Sequence, residues 1–156
     1  MANTDVTLDN ARKNVLSNQE RAQGYTHKYT IKYTDIDEGG GSSDTVTVSL
    51  GDTPTDFIIS KAMLNVTTAF AGTGALTVQV GTDGDPNNFI TAITVLTAGP
   101  TISAIGAAPV TLVGTFAIAS DALEALFTNS SSGSPSALTA GELDIYLAMH
   151  SANDLG

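Results

Sequence analysis

The sequence has no cysteine and no tryptophan among its 156 residues, and aromatic side chains make up only 6% of it. Without cysteine, disulfides, thiolate nucleophiles and cysteine-based zinc sites are excluded. The scarcity of aromatic rings weakens a carbohydrate-binding interpretation, because ligand sites are commonly lined by aromatic faces. No apolar run reaches the ~20 residues that a bilayer-spanning helix needs, and the first residues, MANTDVTLDNARKN, contain no apolar segment of a secretory signal. We therefore expect neither membrane insertion nor secretion.

Charge is scarce as well, since only 14% of the residues are charged, and it is unevenly distributed. Residues 1–33 contain five basic and three acidic residues, which gives +2, whereas the rest of the chain contains one basic and thirteen acidic residues, which gives −12. The acidic body argues against binding to nucleic acid, whose phosphates it would repel. This division predicts different roles for the two parts. The alternative is that the acidic residues only keep the body soluble.

The alternation of apolar and polar residues predicts strands. Residues 25–33 form one such pattern. One predicted face carries Tyr25, His27, Tyr29, Ile31 and Tyr33, and the other carries Thr26, Lys28, Thr30 and Lys32. The longest apolar stretch, residues 57–70, does not keep one register. It predicts a strand that contains a bulge or changes sheets, with a helix as the competing interpretation.

About eight short strands separated by turns are predicted, at residues 25–33, 44–50, 57–70, 76–80, 89–96, 110–119, 122–129 and 142–150. This spacing is typical of an antiparallel β-sandwich, and the number of strands suits a jelly roll. Residues 25–156 are expected to form this single domain. Residues 1–24 are expected to form an extended N-terminal arm, flexible or ordered by a partner, with a short helix that stops at Gly24.

The turn at residues 82–88 is the first candidate for a metal site, because Asp83, Asp85 and Asn87 match the first three ligand positions of a calcium loop. The match then fails, since Asn88 stands at the position of the required glycine and Thr94 at that of the bidentate glutamate. Asp, Gly, Pro and Asn are also the residues that tight turns use. A turn is therefore predicted, with no metal site.

Catalytic motifs are not found either. His27 and His150 have no carboxylate or serine at an informative spacing, and there is no G-x-S-x-G motif and no glycine-rich phosphate-binding motif. We therefore expect no catalytic residue, no cofactor and no enzymatic activity.

A resemblance enters with the stretch TTAFAGTGALTV at residues 67–78, followed by GTDGDP at 81–86, Phe89-Ile90 and LTAGE at 138–142. These segments resemble small β-rich virion proteins of tailed bacteriophages. In those proteins a strand ends in T-A-F-x-G, a short L-T-V strand follows, and a G-x-D-G-D-like turn leads to a phenylalanine. The resemblance covers roughly residues 44–150 and does not include the arm.

The resemblance implies a structural protein of the virion, and specifically a head decoration or cement protein on the capsid surface, made in the host cytoplasm. Its implied partners are the major capsid protein and further copies of itself, as a homotrimer or another small homo-oligomer. The arm and the sandwich edges would bind the shell, and basic residues of the leading segment would pair with acidic capsid groups: Arg12, Lys13, Arg21, Lys28 and Lys32. The alternatives are a tail or fibre module that binds a host-surface glycan and, last, a glycan hydrolase on the same sandwich.

Overall fold

A computed structural model of the chain describes residues 3–7, 15–36, 44–52, 57–101, 122–130 and 135–151. Within these ranges there are nine strands: β1 (Asn3–Thr7), β2 (His27–Lys32), β3 (Thr45–Asp52), β4 (Phe57–Ala71), β5 (Leu76–Thr82), β6 (Asp85–Thr94), β7 (Gly99–Thr101), β8 (Ala122–Asn129) and β9 (Ala140–Ser151). The same ranges contain one helix, α1 (Asn18–Ala22), and two 3₁₀ turns, Tyr33–Asp35 and Pro135–Ala137.

The strands form two sheets, one with the order β1-β3-β8-β5-β6 and the other with the order β2-β9-β4-β7. All neighbours pair antiparallel except β1, which runs parallel to β3. The predicted antiparallel β-sandwich is thus confirmed, whereas the jelly-roll topology stays a prediction. Two strands were not predicted, namely β1 within the arm and the three-residue β7. The predicted strand at residues 110–119 lies outside the described residues.

The core lies between the two sheets, because each sheet turns its apolar positions inward. In β8, and in β3 as far as Leu50, the exposure alternates along the strand, with every second side chain buried. Phe127 of β8 and Phe70 of β4 contact each other across the sandwich, with ring centroids 6.0 Å apart. Since burying a large apolar side chain is worth about 1.5–3 kcal/mol, this interior supplies most of the stability of the fold.

Strand β4 is the long element whose register the sequence left open. It remains a strand over its whole length and stays paired with β9, so the helical interpretation and the change of sheets are both wrong. The pairing shifts between Ile59 and Lys61, between Val66 and Thr68, and again between Thr68 and Ala71. The predicted bulge is therefore confirmed, and it occurs more than once.

The segments that carry the resemblance include two that pack against each other. The Thr139 amide donates a hydrogen bond to the Ala71 carbonyl over 2.8 Å. Gly141 has a φ of +144°, and a Cβ atom there would overlap the ring of Phe70. Position 141 in LTAGE thus requires glycine for two reasons. Its backbone conformation favours glycine, and the ring of Phe70 in TTAF leaves no room for a Cβ atom.

The predicted turn at residues 82–88 is shorter than expected. Strand β5 continues to Thr82 and β6 begins at Asp85, so that Asp83 and Gly84 alone connect the two strands. Pro86 then lies inside β6. This position tolerates a proline because β6 is an edge strand, where one backbone amide needs no ladder partner.

Candidate functional site

Residues 15–24 of the predicted arm, which directly precede β2, fold back onto the outer face of the four-stranded sheet. We refer to residues 15–24 as the strap. Its helix α1 begins at a capping box, in which the Glu20 amide donates to Ser17 Oγ over 3.2 Å and the Ser17 amide donates to Glu20 Oε2 over 2.6 Å. The strap ends at Gly24, whose φ of +92° turns the chain toward β2.

The Glu20 carboxylate is the main contact of the strap with the sheet. Its Oε1 atom lies 3.1 Å from Lys28 Nζ and accepts a hydrogen bond from the Tyr146 hydroxyl over 2.9 Å. Both partners belong to the sheet, Lys28 to β2 and Tyr146 to β9, and they face each other directly in the ladder. The ladder register therefore builds the receiving site for a carboxylate from residues that are far apart in the sequence.

A second carboxylate, that of Asp144, contacts the same two partners, Lys28 and Tyr146. Thr30 Oγ1 donates to Asp144 Oδ1 over 2.6 Å, and Asp144 Oδ2 lies 3.5 Å from Lys28 Nζ and 3.3 Å from the Tyr146 hydroxyl. Asp144 is only 8% exposed, so these partners offset the cost of burying its charge. Because a phenol has one proton, Tyr146 donates to either Asp144 or Glu20 at a given moment.

The site shifts the pKa values of three of its groups. Burial alone would raise the pKa of Glu20, but hydrogen bonds from Ser17, Tyr146 and Lys28 lower it to about 2. Burial likewise opposes the charge of Lys28, yet its contacts with Tyr146, Glu20 and Asp144 raise the pKa of the ammonium group above its ordinary value. Burial raises the pKa of Tyr146 to about 12. At neutral pH Glu20 is therefore a carboxylate, Lys28 an ammonium group and Tyr146 a neutral phenol.

The carboxyl end of the strap is held by Lys61 of β4. Lys61 Nζ donates to the Gln23 carbonyl over 2.8 Å and lies 4.6 Å from the ring centroid of Tyr25. The Tyr25 ring in turn packs against Tyr146, with centroids 5.5 Å apart. Tyr25 is 4% exposed although it lies outside the core between the sheets, so that it forms a small aromatic contact of its own on the outer face.

Thr26, the next residue, fixes the chain to β9. Its hydroxyl contacts the carbonyls of Leu147 and Met149 at 3.2 Å each and accepts a hydrogen bond from the Met149 amide over 2.8 Å. The Thr26 amide also donates to the Leu147 carbonyl over 2.9 Å. Thr26 thus extends the pairing of β2 with β9 by side-chain contacts beyond the end of the strand.

A surface depression of about 490 Å³ lies beside the strap. It is lined by residues of the strap and of the chain just after it: Val15, Leu16, Arg21, Tyr25 and Thr26. Val15 is 82% exposed, which is unusual for an apolar side chain in this structure, and Arg21 is exposed as well. The depression therefore combines an open apolar surface with one cation.

The five predicted capsid contacts have different surroundings. Arg12 and Lys13 lie outside the described residues. Arg21 lines the depression. Lys28 is engaged by Glu20 and Asp144, while Lys32 lies 3.5 Å from Glu142 in a pair that is largely exposed. The predicted role in capsid contact is thus compatible with an accessible side chain at Arg21 and Lys32, whereas Lys28 already has internal partners.

The sequence interpretation missed Glu20, Lys61, Asp144 and Tyr146 as members of this site. One local signal was available for Glu20, because Ser17-x-x-Glu20 is a capping-box sequence. Asp144 and Tyr146 alternate with the apolar residues of β9, which indicates the outer face and nothing more. Their meeting with Lys28 follows only from the register between two strands that are distant in the sequence.

The residues considered for metal binding or catalysis are placed as follows. Asp83 lies in the turn between β5 and β6, and Asp85 is the first residue of β6. The His27 ring stacks on Tyr29 with centroids 6.4 Å apart, and His150 is exposed near the end of β9. Among the described residues there is no group of three or more His, Cys, Asp or Glu side chains that could hold a metal ion. The helix in these ranges is too short and too polar to cross a membrane.

The chain matches no protein-family model, and comparisons with curated proteins and with solved structures find no match either.

Proposed function

We propose that this protein is a structural component of a tailed-bacteriophage virion, a decoration or cement protein that binds the major capsid protein on the head surface. In this proposal it stabilises the shell through its amino-terminal residues and the edges of its sandwich, as a trimer or another small homo-oligomer. The proposal starts from the resemblance of residues 67–90 and 138–142 to such proteins, and the packing of Phe70 on Gly141 supplies a physical reason for two of those segments.

The single observation that carries the proposal is the placement of the described amino-terminal residues, 3–7 and 15–24, on the outside of the sandwich. β1 lies at the edge of one sheet, and the strap lies on the outer face of the other. A protein that reinforces a shell needs surface elements that contact neighbouring subunits while its core stays unchanged. Val15, Leu16 and Arg21 offer such a surface, since an apolar contact and a cation lie side by side there.

Charge supports the same surface. The body of the chain carries −12 and repels other acidic proteins, whereas residues 1–33 carry +2. A partner with acidic surface groups is therefore steered toward the amino-terminal side of the molecule. Arg21 is suited to that contact, because its guanidinium group binds carboxylates through paired hydrogen bonds.

The experiment is co-sedimentation of the purified protein with phage head shells assembled without their decoration protein. We expect saturable binding, and Arg21→Glu should weaken it about tenfold, which corresponds to about 1.4 kcal/mol. Arg21→Lys is the matched control and should lose less, because the positive charge is kept. Wild-type protein that does not sediment with shells, or that instead gives specific hits on a glycan array, would overturn the proposal in favour of a tail or fibre module.

The oligomeric state is tested separately by light scattering at micromolar concentration. A mass of about three chains is expected for the proposed trimer. Among the described residues, β7 pairs with β4 only at Leu64–Val66, and Lys61 is the only charged side chain of β4. Residues 57–63 therefore have little on that side to prevent pairing with further copies. A mass of one chain over the whole concentration range would contradict assembly in solution.

A further inference from the structure

The strap is attached to the sheet in an unusual way for a surface helix. Helix α1 has five residues and none of them is buried, so apolar burial does not hold it in place. A helix of this length is also far below the ~12–15 residues at which isolated helices become marginally stable. Its position therefore depends on polar contacts, chiefly those of the Glu20 carboxylate with Lys28 and Tyr146, together with the Gln23 carbonyl on Lys61.

The contacts change in kind at Gly24. After this residue the chain is firmly anchored, because Tyr25 is buried and Thr26 makes side-chain and backbone hydrogen bonds to β9. Before it, polar contacts dominate, because among the apolar side chains of residues 15–23 only Leu16 is partly buried. Gly24 itself has a φ of +92° and open space where a Cβ would stand, so the glycine serves the backbone conformation and not a close approach.

The cluster beneath the strap remains paired if Glu20 leaves it. Asp144 already lies 3.5 Å from Lys28 Nζ and 3.3 Å from the Tyr146 hydroxyl, and it also accepts from Thr30. With Glu20 present, two carboxylates share one ammonium and one phenolic proton, so the cluster carries a net charge of −1. Without Glu20 the charges balance, and no buried donor or acceptor loses its last partner.

From these three observations we infer that the strap can be released from the sheet, with Glu20 as the positioning residue that holds residues 15–23 in place and Gly24 as the pivot at its end. Glu20 and Asp144 share the same two partners, so Lys28 and Tyr146 keep a carboxylate partner when the strap leaves. Release leaves the sandwich unchanged, because the core between the sheets contains no residue of the strap. Taken with the proposed function, the latch would determine how Val15, Leu16 and Arg21 are presented to a neighbouring protein. The latch itself is tested without that neighbour.

The test is limited trypsin digestion of the full chain, followed by mass spectrometry, with cleavage after Arg21 as the readout of strap release. Cleavage after Lys61, in the middle of β4, reports global unfolding in the same digest. Glu20→Gln should raise the rate after Arg21 about tenfold and leave the rate after Lys61 unchanged. Tyr146→Phe removes one of the two contacts between Glu20 and the sheet. It should raise the cleavage rate after Arg21 by a smaller factor.

The matched control is Glu142→Gln, which removes an exposed ion pair with Lys32 on the same face of the sheet and away from the strap. Its cleavage rate after Arg21 should stay within twofold of the wild-type rate. A Glu20→Gln rate within twofold of wild type would overturn the latch. So would an equal rise after Arg21 and Lys61, because Glu20 would then stabilise the whole fold. Glu20→Asp, which keeps the charge on a shorter side chain, should fall between wild type and Glu20→Gln.

Discussion

The two faces of the four-stranded sheet are built on the same central strand, yet they are stabilised by different forces. The inward residues of β9 are entirely apolar and nearly inaccessible: Leu143, Ile145, Leu147 and Met149. The outward residues Asp144 and Tyr146 are also buried, but by polar partners and by the strap above them. Apolar contact is non-directional and independent of pH, whereas the outer face depends on a few atoms at defined distances. The inner face therefore sets the stability, and the outer face offers a region that can change.

The largest effect is expected on the inner face. Ile145 is fully buried, so Ile145→Ala should lower the free energy of unfolding by about 2–5 kcal/mol through lost burial and a cavity. Urea denaturation followed by circular dichroism measures it. Thr67→Ala, at an exposed position of the same sheet, is the control and should change stability by less than about 0.5 kcal/mol. Similar losses for both variants would remove the distinction between the two faces.

Asp144→Asn should have a smaller effect, which destabilises the body and stabilises the attachment of the strap. The body should lose about 1–3 kcal/mol, because Lys28 and Tyr146 lose their buried charged partner. The strap should become better protected, since Glu20 no longer competes with a second carboxylate. Urea denaturation measures the first change and the trypsin rate after Arg21 the second. A strap that loosens along with the body would show that the two carboxylates cooperate and do not compete.

The smallest effect is expected from pH and is confined to the outer face. The pKa of Glu20 is about 2 in the folded protein and about 4.5 ordinarily, so its contribution is full above pH 4.5 and is lost as the pH falls through about 2. The amide exchange rates of Arg21, Gln23 and Gly24, each relative to the rate of an unfolded chain at the same pH, should therefore rise near pH 2. The groups that face Glu20 are Lys28, Tyr146 and Asp144. Complete release already at pH 4 would contradict this.

At high pH the same face should respond through Tyr146. Its pKa is raised to about 12, so the folded state favours the neutral phenol, and this contribution is full below pH 10 and lost as the pH rises through about 12. The amide exchange rates of the strap, relative to those of an unfolded chain at the same pH, should increase between pH 9 and 12 in the wild type. Tyr146→Phe has no phenolic proton to lose and should show a flatter profile there.

The sequence predicted the parts of the fold that depend on local patterns. Strands β3, β8 and β9 were recognisable because their apolar residues alternate, and the alternation itself is produced by burial on one face. β1 was missed because Asn3–Thr7 has no such alternation and is held by parallel pairing with β3, a contact with a segment some forty residues away. Pairing of that kind leaves no local pattern to read.

The candidate site was accessible to the sequence only in fragments. The sequence identifies the cations of the leading segment, but their predicted role follows from the resemblance, which says nothing about internal partners. The sequence predicts that Lys28 contacts another protein, whereas in the structure its ammonium group contacts Glu20 and Asp144. Residues 28 and 144 become neighbours only through the β2–β9 register. Long-range register is the information that a single sequence does not carry.

The place of β9 in its sheet has a consequence for the order of events at the ribosome. β2 and β4 are not paired with each other, and each of them pairs with β9, which follows them in the chain by about seventy residues or more. One of the two layers thus has no hydrogen-bonded centre until residues 140–151 have emerged. Until then the apolar residues of β2 and β4 remain exposed on the nascent chain. A chain truncated before β9 lacks the central strand of this sheet and is open to proteolysis. Synthesis of β9 is thereby a condition for the four-stranded sheet to reach its native pairing.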